Sequence, residues 1–345
     1  MKIIFMGTPD FSTGCLRALV DAGHEVVLAV TQPDKPKGRG NKVVYSPVKE
    51  EAIRLGIPVF QPVRIREPEA IEYLKPFGAD VIVVVAFGQI LPKEILDMPQ
   101  YGCVNVHASL LPKYRGAAPI QEAVLNGDAV SGVTTMQMDV GMDTGDILLT
   151  KEVELDRKET GGSLFDKLSE VGASLCVETL AGLRDGTVTP IPQDDSQATY
   201  TRMIRKSDGE IDFSKSARQI ECLIRGMNPW PSAYTTLDGK TLKIWEADAL
   251  TQEEYQVQTG TGAVQAGACE AQTGVDAGQT GAESAQDGTA NAESAGQVLA
   301  VKKDAFYVRT GDGVLKVTNV QLQGKKRMDA GAFLRGYSLA EGTVL

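Results

Sequence analysis

The chain has 345 residues, of which 42% are hydrophobic and 23% charged, with a net charge of −10. This length predicts two domains, because single hydrophobic cores stop growing beyond about 250–300 residues, and the composition is that of a soluble globular protein. No apolar run reaches the roughly 20 residues of a membrane span, and the N-terminal run is too short for a signal peptide, so we expect a cytoplasmic protein without a membrane partner.

Cysteine and histidine usage limits the metal and redox chemistry. The five cysteines are scattered and show no C-x-x-C spacing, so neither a disulfide framework nor a zinc site is indicated. Two histidines, His24 and His107, are too few for a histidine-rich metal centre. We therefore expect no bound metal.

The negative charge is concentrated in one segment. Residues 251–297 contain seven acidic residues and neither Lys nor Arg, and without those acids the net charge is −3. The total charge is therefore a poor guide to partners, and basic clusters elsewhere leave a nucleic-acid partner open.

The first half of the chain alternates strand-like and helical patterns. Continuous β-branched runs predict strands that are buried on both faces. In chain order the predicted elements are a strand at 2–6, a helix containing Leu16, Leu19 and Val20, a strand at 25–31, a helix at about 47–55, a strand at 80–86, and a strand at 102–107 after a short helix. The alternation predicts an α/β fold with a doubly wound, mostly parallel sheet. Such sheets bind ligands beyond the carboxyl ends of their strands.

The pattern changes from about residue 208. Ser214 can cap a helix whose apolar positions extend from Ala217 to Met227. Hairpin signals at Asp238-Gly239 and Gly311-Asp312-Gly313 separate later strand-like runs. These runs are 233–237, 241–247, 305–309 and 314–322. They predict a small antiparallel β domain with one helix, forming a β-barrel of the OB type.

We therefore predict a first domain at 1–187, a linker at 188–207 and a second domain at 208–345. Within the second domain, glutamine and glycine each recur every seven residues between 258 and 292, where Leu, Ile and aromatic residues are absent. Such a segment has no apolar side chains with which to form a core. We predict a disordered insert at about 256–296 without a functional role.

Two polar residues end the last predicted strand of the first domain. Asn105 and His107 are two residues apart in an extended run, so their side chains point to one face. A buried polar group left unpaired would cost about 1–3 kcal/mol. The pair therefore either bonds to nearby loops as structural residues or carries chemistry. The next residues, Ser109-Leu-Leu-Pro112, predict a chain reversal lined by apolar groups.

A second polar loop spans Asp139–Asp146, with the sequence DVGMDTGD. It holds three carboxylates and two glycines, which would suit a calcium loop, but the spacing does not match the twelve-residue EF-hand pattern. Taken alone, the segment predicts an ordinary tight turn.

These segments together resemble a known family. The matching stretches are Gly7–Phe11, Gln32–Gly40, Asn105–Pro112, Arg115–Gln121, Met136–Asp146, Asn228–Ala233 and Gly324–Lys326. The chain resembles the folate-dependent formyltransferases, and among them the methionyl-tRNA formyltransferases, over nearly its whole length outside the repeat. The combination of Asn-x-His, Ser-Leu-Leu-Pro and the later Asp is specific, whereas each piece alone is not.

The resemblance implies a Rossmann-like catalytic domain at 1–187 that transfers the formyl group of N10-formyltetrahydrofolate, the co-substrate, to methionine on initiator tRNA. It implies a catalytic set of Asn105, His107 and Asp143. The Asn105 amide and a protonated His107 would donate hydrogen bonds to the oxygen of the tetrahedral intermediate. Asp143 would accept the proton of the attacking amine, directly or through a water.

Folate binding needs an apolar slot in which backbone groups contact the edge of the pterin ring. Three segments are expected to form it by resemblance: Ser109, Leu110, Leu111 and Pro112; Phe87, Gly88, Gln89, Ile90 and Leu91; and Asp139 with Val140. Core packing is the alternative explanation for Leu110 and Leu111. The turn at Gly7–Asp10 lacks G-x-G-x-x-G, so we do not expect NAD binding.

Basic residues in a Gly- and Pro-rich loop at 35–42 are usually solvated surface, but this loop matches the family's tRNA-contacting loop. In that family, the Arg at the position of Arg39 enters the acceptor stem. Phosphate contacts of this kind weaken steeply with salt, and a small β-barrel is a reasonable nucleic-acid platform. The residues expected to bind tRNA are Lys35, Lys37, Arg39, Lys42, Arg205, Lys206, Lys325 and Lys326.

Other functions remain open at this level. The nearest is a formyltransferase for a sugar amine or another small metabolite amine, or a formyl-folate hydrolase with the same Asn, His and Asp. A serine hydrolase using Ser109 is not indicated, because no G-x-S-x-G elbow occurs. A non-enzymatic alternative is an RNA-binding module on the same fold. We expect a monomer.

Overall fold

The computed structural model describes residues 1–37, 42–260 and 295–345. Two compact units divide the chain, Met1–Ile204 and Arg205–Leu345. The division falls within the segment that we predict as the linker. In the described ranges, no helix combines the length and the apolar character that crossing a bilayer requires.

The first unit alternates strands with helices. Its strands are β1 (Lys2–Gly7), β2 (Glu25–Val30), β3 (Lys35–Lys37), β4 (Lys42–Val44), β5 (Val59–Phe60), β6 (Val81–Val85), β7 (Cys103–His107), β8 (Arg115–Gly116), β9 (Val130–Gln137), β10 (Ile147–Glu154) and β11 (Tyr200–Thr201). Its helices are α1 (Asp10–Asp21), α2 (Pro47–Arg54), α3 (Pro68–Leu74), α4 (Lys93–Leu96), α5 (Pro119–Leu125) and α6 (Gly161–Asp185), with 3-10 turns at Lys75–Phe77 and Asp195–Gln197.

The main sheet of this unit has the strand order β10-β9-β7-β6-β1-β2-β5. β5, β2, β1, β6 and β7 are parallel, β9 is antiparallel to β7, and β10 is antiparallel to β9. The predicted mostly parallel sheet is therefore confirmed. The chain proceeds outward from β1 to β2 and β5, then returns to β6 on the other side of β1, which creates the switch point near which such sheets bind ligands.

Alternating side chains place two apolar cores on the two faces of this sheet. Ile3 and Phe5 of β1 pack with α1, α2 and α6, whereas Ile4 and Met6 pack with α3 and α4 on the opposite face. This two-sided burial explains why β6, with the sequence VIVVV, is buried at every position.

A carboxylate on α2 pairs with two arginines. Glu51 is 8% exposed, and its Oε1 lies 2.9 Å from Nε of Arg17 in α1 and 2.5 Å from Nη2 of Arg54. These hydrogen bonds, that of Arg54 first, lower the pKa of Glu51 from 4.5 to about 2.

Glu51→Gln should lower the melting temperature at neutral pH and lose this effect in acid. Because the folded-state pKa lies below the unfolded value of 4.5, the stabilisation is present above that pH and is lost as the pH falls through about 2. Thermal unfolding of variant and parent across this range should therefore converge at low pH. Glu50→Gln, at an exposed position of the same helix, is the control. A melting-temperature difference that stays constant with pH would contradict the prediction.

The second unit is an antiparallel sheet with helices. Its elements are α7 (Ala217–Gly226), β12 (Ala233–Leu237), β13 (Lys240–Leu250), α8 (Gln252–Thr259), β14 (Val298–Val301), β15 (Phe306–Arg309), β16 (Val314–Leu322), β17 (Met328–Asp329) and α9 (Ala330–Gly336), with a 3-10 turn at Lys206–Gly209. The strand order is β12-β13-β16-β15-β14, and β17 pairs with β16. The antiparallel domain is confirmed. The predicted closed barrel is not, because β12 and β14 do not pair among the described residues and the sheet stays open.

Local chemistry shifts two predicted boundaries. Ser216, rather than Ser214, caps α7 by accepting a hydrogen bond from the Gln219 amide, because Ser214 bonds instead to Asp212. Residues 256–259, which we placed in the disordered insert, belong to α8, whose Thr251 cap and buried Tyr255 stabilise it. Residues 261–294 lie outside the described part of the chain, so disorder there stays a prediction.

Candidate active site

Asn105 and His107 lie on β7 with their side chains on the same face of the sheet. They are 8% and 6% exposed. Cys103 packs in the core on this face, whereas Val104 and Val106 pack in the core on the other face, as strand alternation requires.

The loop between β9 and β10 brings a carboxylate to this pair. Oδ1 of Asp143 lies 3.4 Å from Nδ2 of Asn105, and Oδ2 lies 3.7 Å from Nδ1 of His107. The backbone N–H of Gly116 donates to the same Oδ2 at 2.9 Å. The structure therefore brings the three predicted catalytic side chains together, and their catalytic role stays a prediction.

The His107 ring is oriented by a carbonyl. Nε2 of His107 lies 3.0 Å from the carbonyl oxygen of Tyr114. Because a carbonyl only accepts, Nε2 carries the proton and Nδ1 is the ring atom that faces Asp143. Tyr114 is itself held, since its backbone N–H donates to Oγ1 of Thr199 and its hydroxyl donates to Asp128. Burial first, and the Asp128 hydrogen bond second, raise the pKa of Tyr114 to about 12.

The loop that carries Asp143 is held by its own polar groups. Oδ1 of Asp139 accepts from the Gly141 N–H at 2.9 Å and from Oγ1 of Thr144 at 2.7 Å. A Cβ at Gly145 would lie 1.7 Å from the carbonyl oxygen of Gln137, so only glycine fits there. These contacts explain why the loop has the sequence DVGMDTGD: its Asp139, Thr144 and glycines form a tight turn, and the turn directs the Asp143 carboxylate towards Asn105 and His107.

Two residues near the site, Arg115 and Gln193, have no role in the sequence-based prediction. Arg115 is 1% exposed and bonds to Gln193, whose amide also contacts the Asp143 loop. Arg115 lies in a matching stretch, but sequence alone does not show that it is buried. Gln193 lies in the segment that we predict only as a linker, and no local pattern distinguishes it.

An open cavity of about 640 Å³ lies beside this loop, a volume in the range of small-molecule sites. Gly102, Met138, Asp139 and Val140 are among its lining residues, which do not include the three catalytic candidates. Two of the residues predicted to bind folate therefore line the cavity. No cluster of His, Cys, Asp or Glu suited to a metal ion occurs in the ranges that the structure describes.

Family models cover most of this chain. Residues 1–180 match the model of the formyl transferase family, and residues 203–338 match that of the formyl transferase C-terminal domain. The chain belongs to the formyl transferase family. The family predicted from the motifs is thus confirmed.

Two relatives of this formyl transferase match over nearly their full length. The methionyl-tRNA formyltransferase of Lachnospira eligens is 54% identical over 345 residues, 100% of this chain and 99% of the relative. That of Agathobacter rectalis is 55% identical over 344 residues, 99% of each chain.

Solved structures share the fold of this formyl transferase at low identity. WlaRD, a sugar 3N-formyl transferase solved in the presence of dTDP and 5-N-formyl-THF, has a TM-score of 0.60 at 18% identity, with 94% of this chain and 99% of that chain covered. HypX from Aquifex aeolicus in complex with tetrahydrofolic acid has a TM-score of 0.56 at 16% identity. The match includes 97% of this chain and 47% of HypX, so this chain spans about half the length of HypX.

The other predicted folate residues of this formyl transferase differ in accessibility. Ser109 is 1% exposed, and its hydroxyl donates to the Lys113 carbonyl while its own carbonyl accepts from Thr134. Leu111 is 6% exposed, and its N–H donates to the same Thr134 hydroxyl, so both residues are tied into the protein interior. Whether Ser109–Pro112 also contact folate stays a prediction.

The predicted folate residues after β6, Phe87–Leu91, likewise include both buried and exposed side chains. Phe87 and Leu91 are buried in the core on the α3 and α4 face. Oε1 of Gln89 accepts from the Ile65 N–H at 2.7 Å, whereas Ile90 is 85% exposed. Of these side chains, that of Ile90 is the most exposed, and contact of the segment with folate stays a prediction.

The predicted tRNA residues fall in separate places. β3 and β4 pair as a hairpin in which Lys37 is opposite Lys42, and Arg39 lies outside the described residues. Arg205 precedes a 3-10 turn that starts at Lys206, and its backbone N–H donates to Asp208. Lys325 and Lys326, the last two predicted tRNA residues, are exposed in the turn between β16 and β17.

Beside that turn lies an aromatic ring flanked by cations. The Arg327 guanidinium is 5.0 Å and the Lys243 ammonium 5.6 Å from the ring centroid of Trp245. Nε1 of Trp245 donates to Gln321, whose amide in turn donates to the Lys325 carbonyl. The second unit thus carries a partly exposed aromatic ring with basic neighbours.

Proposed function

We propose that the protein transfers the formyl group of N10-formyltetrahydrofolate to the amino group of methionine on initiator tRNA. The observation that carries this proposal is the convergence of Asn105, His107 and Asp143 in a chain that matches methionyl-tRNA formyltransferases at 54% and 55% identity over its whole length. The proposal implies a soluble cytoplasmic enzyme that acts as a monomer in translation initiation.

The reaction joins a nitrogen to the formyl carbon. The methionine amine attacks that carbon, and its C=O electrons move to the oxygen, which becomes an oxyanion. When the tetrahedral intermediate collapses, the bond from the carbon to N10 of the folate breaks. The proton that the methionine amine loses is taken up by Asp143 and delivered to N10, so protons balance.

The geometry supports distinct roles for the three side chains. Nε2 of His107 donates to the Tyr114 carbonyl, so Nδ1 is the nitrogen next to Asp143, and the protonated ring would donate from Nδ1 to the oxyanion. The Asn105 amide approaches Asp143 at 3.4 Å, a long contact that a better acceptor could replace. Donors arranged in advance around a developing charge are a main source of catalysis in acyl transfer.

A folate fits the surroundings of the Asp143 loop. Val140 and Met142 on this loop are 72% and 60% exposed, and Ile90 is 85% exposed. Val140 also lines the cavity of about 640 Å³, and exposed apolar side chains suit an aromatic ligand. We therefore assign Asp139 and Val140, with the segments 87–91 and 109–112, to the folate site.

The second unit would be the RNA platform, and we propose that its sheet belongs to an OB-like barrel. The exposed Lys325 and Lys326 support this assignment together with Trp245, whose ring is flanked by Lys243 and Arg327, because nucleic-acid surfaces combine cations with aromatic rings. Lys35, Lys37, Arg39 and Lys42 would supply further contacts, with Arg205 and Lys206.

Replacing both Lys325 and Lys326 with Ala should weaken methionyl-tRNA binding most at low salt. The slope of log affinity against log salt should decrease by about one for each phosphate contact removed. The measurement is a tRNA titration at several salt concentrations. The matched control is Lys302→Ala with Lys303→Ala, an equally exposed pair in the same unit. Equal effects of both pairs would contradict a specific surface.

One assay tests the proposed function directly. The protein is incubated with N10-formyltetrahydrofolate and methionyl initiator tRNA, and formylmethionyl-tRNA is the expected product. Parallel reactions supply a nucleotide-linked amino sugar, or no acceptor at all. Faster formylation of the amino sugar, or acceptor-independent release of formate, would reject the proposal in favour of a sugar formyltransferase or a hydrolase.

A further inference from the structure

The side-chain amide of Gln193 joins the Asp143 loop to a buried arginine. Its Nε2 donates to the carbonyl oxygen of Asp143 at 2.9 Å and to that of Gly145 at 2.7 Å. Its Oε1 accepts from Nε and Nη2 of Arg115 at 3.0 Å and 2.8 Å. This orientation is unambiguous, because a reversed amide would face the guanidinium with donors and two carbonyls with an acceptor.

Arg115 is held firmly enough to serve as the anchor. It is 1% exposed, and its Nη2 also contacts Oδ1 of Asp195 at 2.7 Å. Its backbone N–H donates to the Thr199 carbonyl at 2.8 Å, and β8 pairs with β11. The segment 193–201, near the end of the first unit, therefore packs against the residues that hold the Asp143 loop.

The held loop residue has an unusual backbone. Asp143 has a φ of +56°, in the left-handed region that residues other than Gly, Asn and Asp rarely adopt. Gln193 holds its carbonyl, while the N–H of Gly116, the neighbour of Arg115, holds its carboxylate at 2.9 Å. The backbone carbonyl and the side-chain carboxylate of Asp143 are therefore both held by residues that Arg115 anchors: Gln193 through its side chain and Gly116 as its neighbour in sequence.

We infer that Gln193 is a positioning residue for formyl transfer: linked to Arg115, it holds the Asp143 backbone so that the carboxylate lies beside Asn105 and His107. The inference rests on the proposed function, because it needs Asp143 to act in the reaction. Gln193 acts through Asp143 and not on the substrates.

Gln193→Glu tests this role with little change in shape. A glutamate still accepts from Arg115, but it replaces the two donated hydrogen bonds with repulsion between its oxygen and the carbonyls of Asp143 and Gly145. We expect kcat to fall by up to about 100-fold, the effect of displacing a catalytic group by about 1 Å, with the KM for methionyl-tRNA unchanged. The matched control is Gln197→Ala, which removes an exposed amide whose side chain bonds to Ser196, and should keep the parental kcat.

A second background separates positioning from a general structural role. If Gln193 acts through Asp143, then Gln193→Glu should cause no further loss in an Asp143→Asn protein, because the effects of coupled residues are not additive. A crystal structure of the single variant should show the Asp143 carboxylate displaced from the Gly116 N–H. If the glutamate variant does not fold, Gln193→Met, which is neutral and of similar length, is measured in the same way.

The outcomes are distinct. Parental kcat in the folded variant, an equal loss in both backgrounds, or an undisplaced Asp143 would each overturn the inference. A parent protein that forms no formylmethionyl-tRNA would reject the proposed function itself, and this inference with it.

Discussion

Asp143→Asn is expected to reduce kcat for formyl transfer by about 10²–10⁴-fold, the contribution typical of a positioned general base. Asparagine tolerates the left-handed backbone at this position, where φ is +56°. Its amide oxygen can also accept the Gly116 N–H that now bonds to the carboxylate. The variant therefore removes charge and basicity while the loop keeps its shape.

The measurement is steady-state formylation of methionyl-tRNA, with thermal unfolding as the check on the fold. Asp156→Asn is the matched control, because Asp156 has an 80% exposed side chain that pairs with Lys167. The control should keep both kcat and stability. A kcat within a few-fold of the parent in the Asp143 variant would remove Asp143 from the reaction.

His107→Gln is expected to lower kcat by about 10²–10³-fold, the loss seen when one oxyanion donor is removed. Glutamine can still donate a hydrogen bond towards the Tyr114 carbonyl that His107 now contacts. It has no ring nitrogen next to Asp143, so the proposed donor to the oxyanion is lost. Folate binding should change little, because His107 contributes through the oxyanion and not through the ring of the folate.

The chain offers a matched control in its other histidine, His24, which lies between α1 and β2. His24→Gln should leave kcat and its pH dependence unchanged. Rates and folate affinity are measured for both variants over a range of pH. If the two variants behaved alike, histidine chemistry at this site would be ruled out.

Part of the site follows from local pattern. Strand alternation puts Asn105 and His107 on one face whatever the rest of the fold does, and the structure confirms it. The glycines of 139–146 predict a tight turn, and Gly145 is indeed required by the close Gln137 carbonyl. Such patterns do not show which distant residues each element contacts in the folded protein.

The residues that orient the site illustrate this limit. Gln193 lies 50 residues from Asp143 and 78 from Arg115 in sequence. The residues next to Gln193 in sequence do not distinguish it. Its positioning role depends on two backbone carbonyls and the Arg115 guanidinium, which come together only after folding. The Tyr114 carbonyl that orients His107 is a backbone atom, which sequence identity does not single out.

The second unit shows the same division. The hairpin at Asp238-Gly239 is predictable, because both residues adopt positive φ in the turn that joins β12 to β13. The Ser216 cap is not, since the choice between Ser214 and Ser216 depends on the bond that Asp212 makes with the former. Whether the sheet closes depends on pairing between distant strands.

Sequence by itself determined the parallel α/β core, the antiparallel second unit, the family and the three polar side chains, because periodicity and short motifs are properties of adjacent residues. Only the tertiary structure decided how Asp143 meets β7, which face of its loop is open, and what holds its backbone. Those depend on hydrogen bonds and packing between segments far apart in the chain, whose free energy exists only once the fold has brought them into contact.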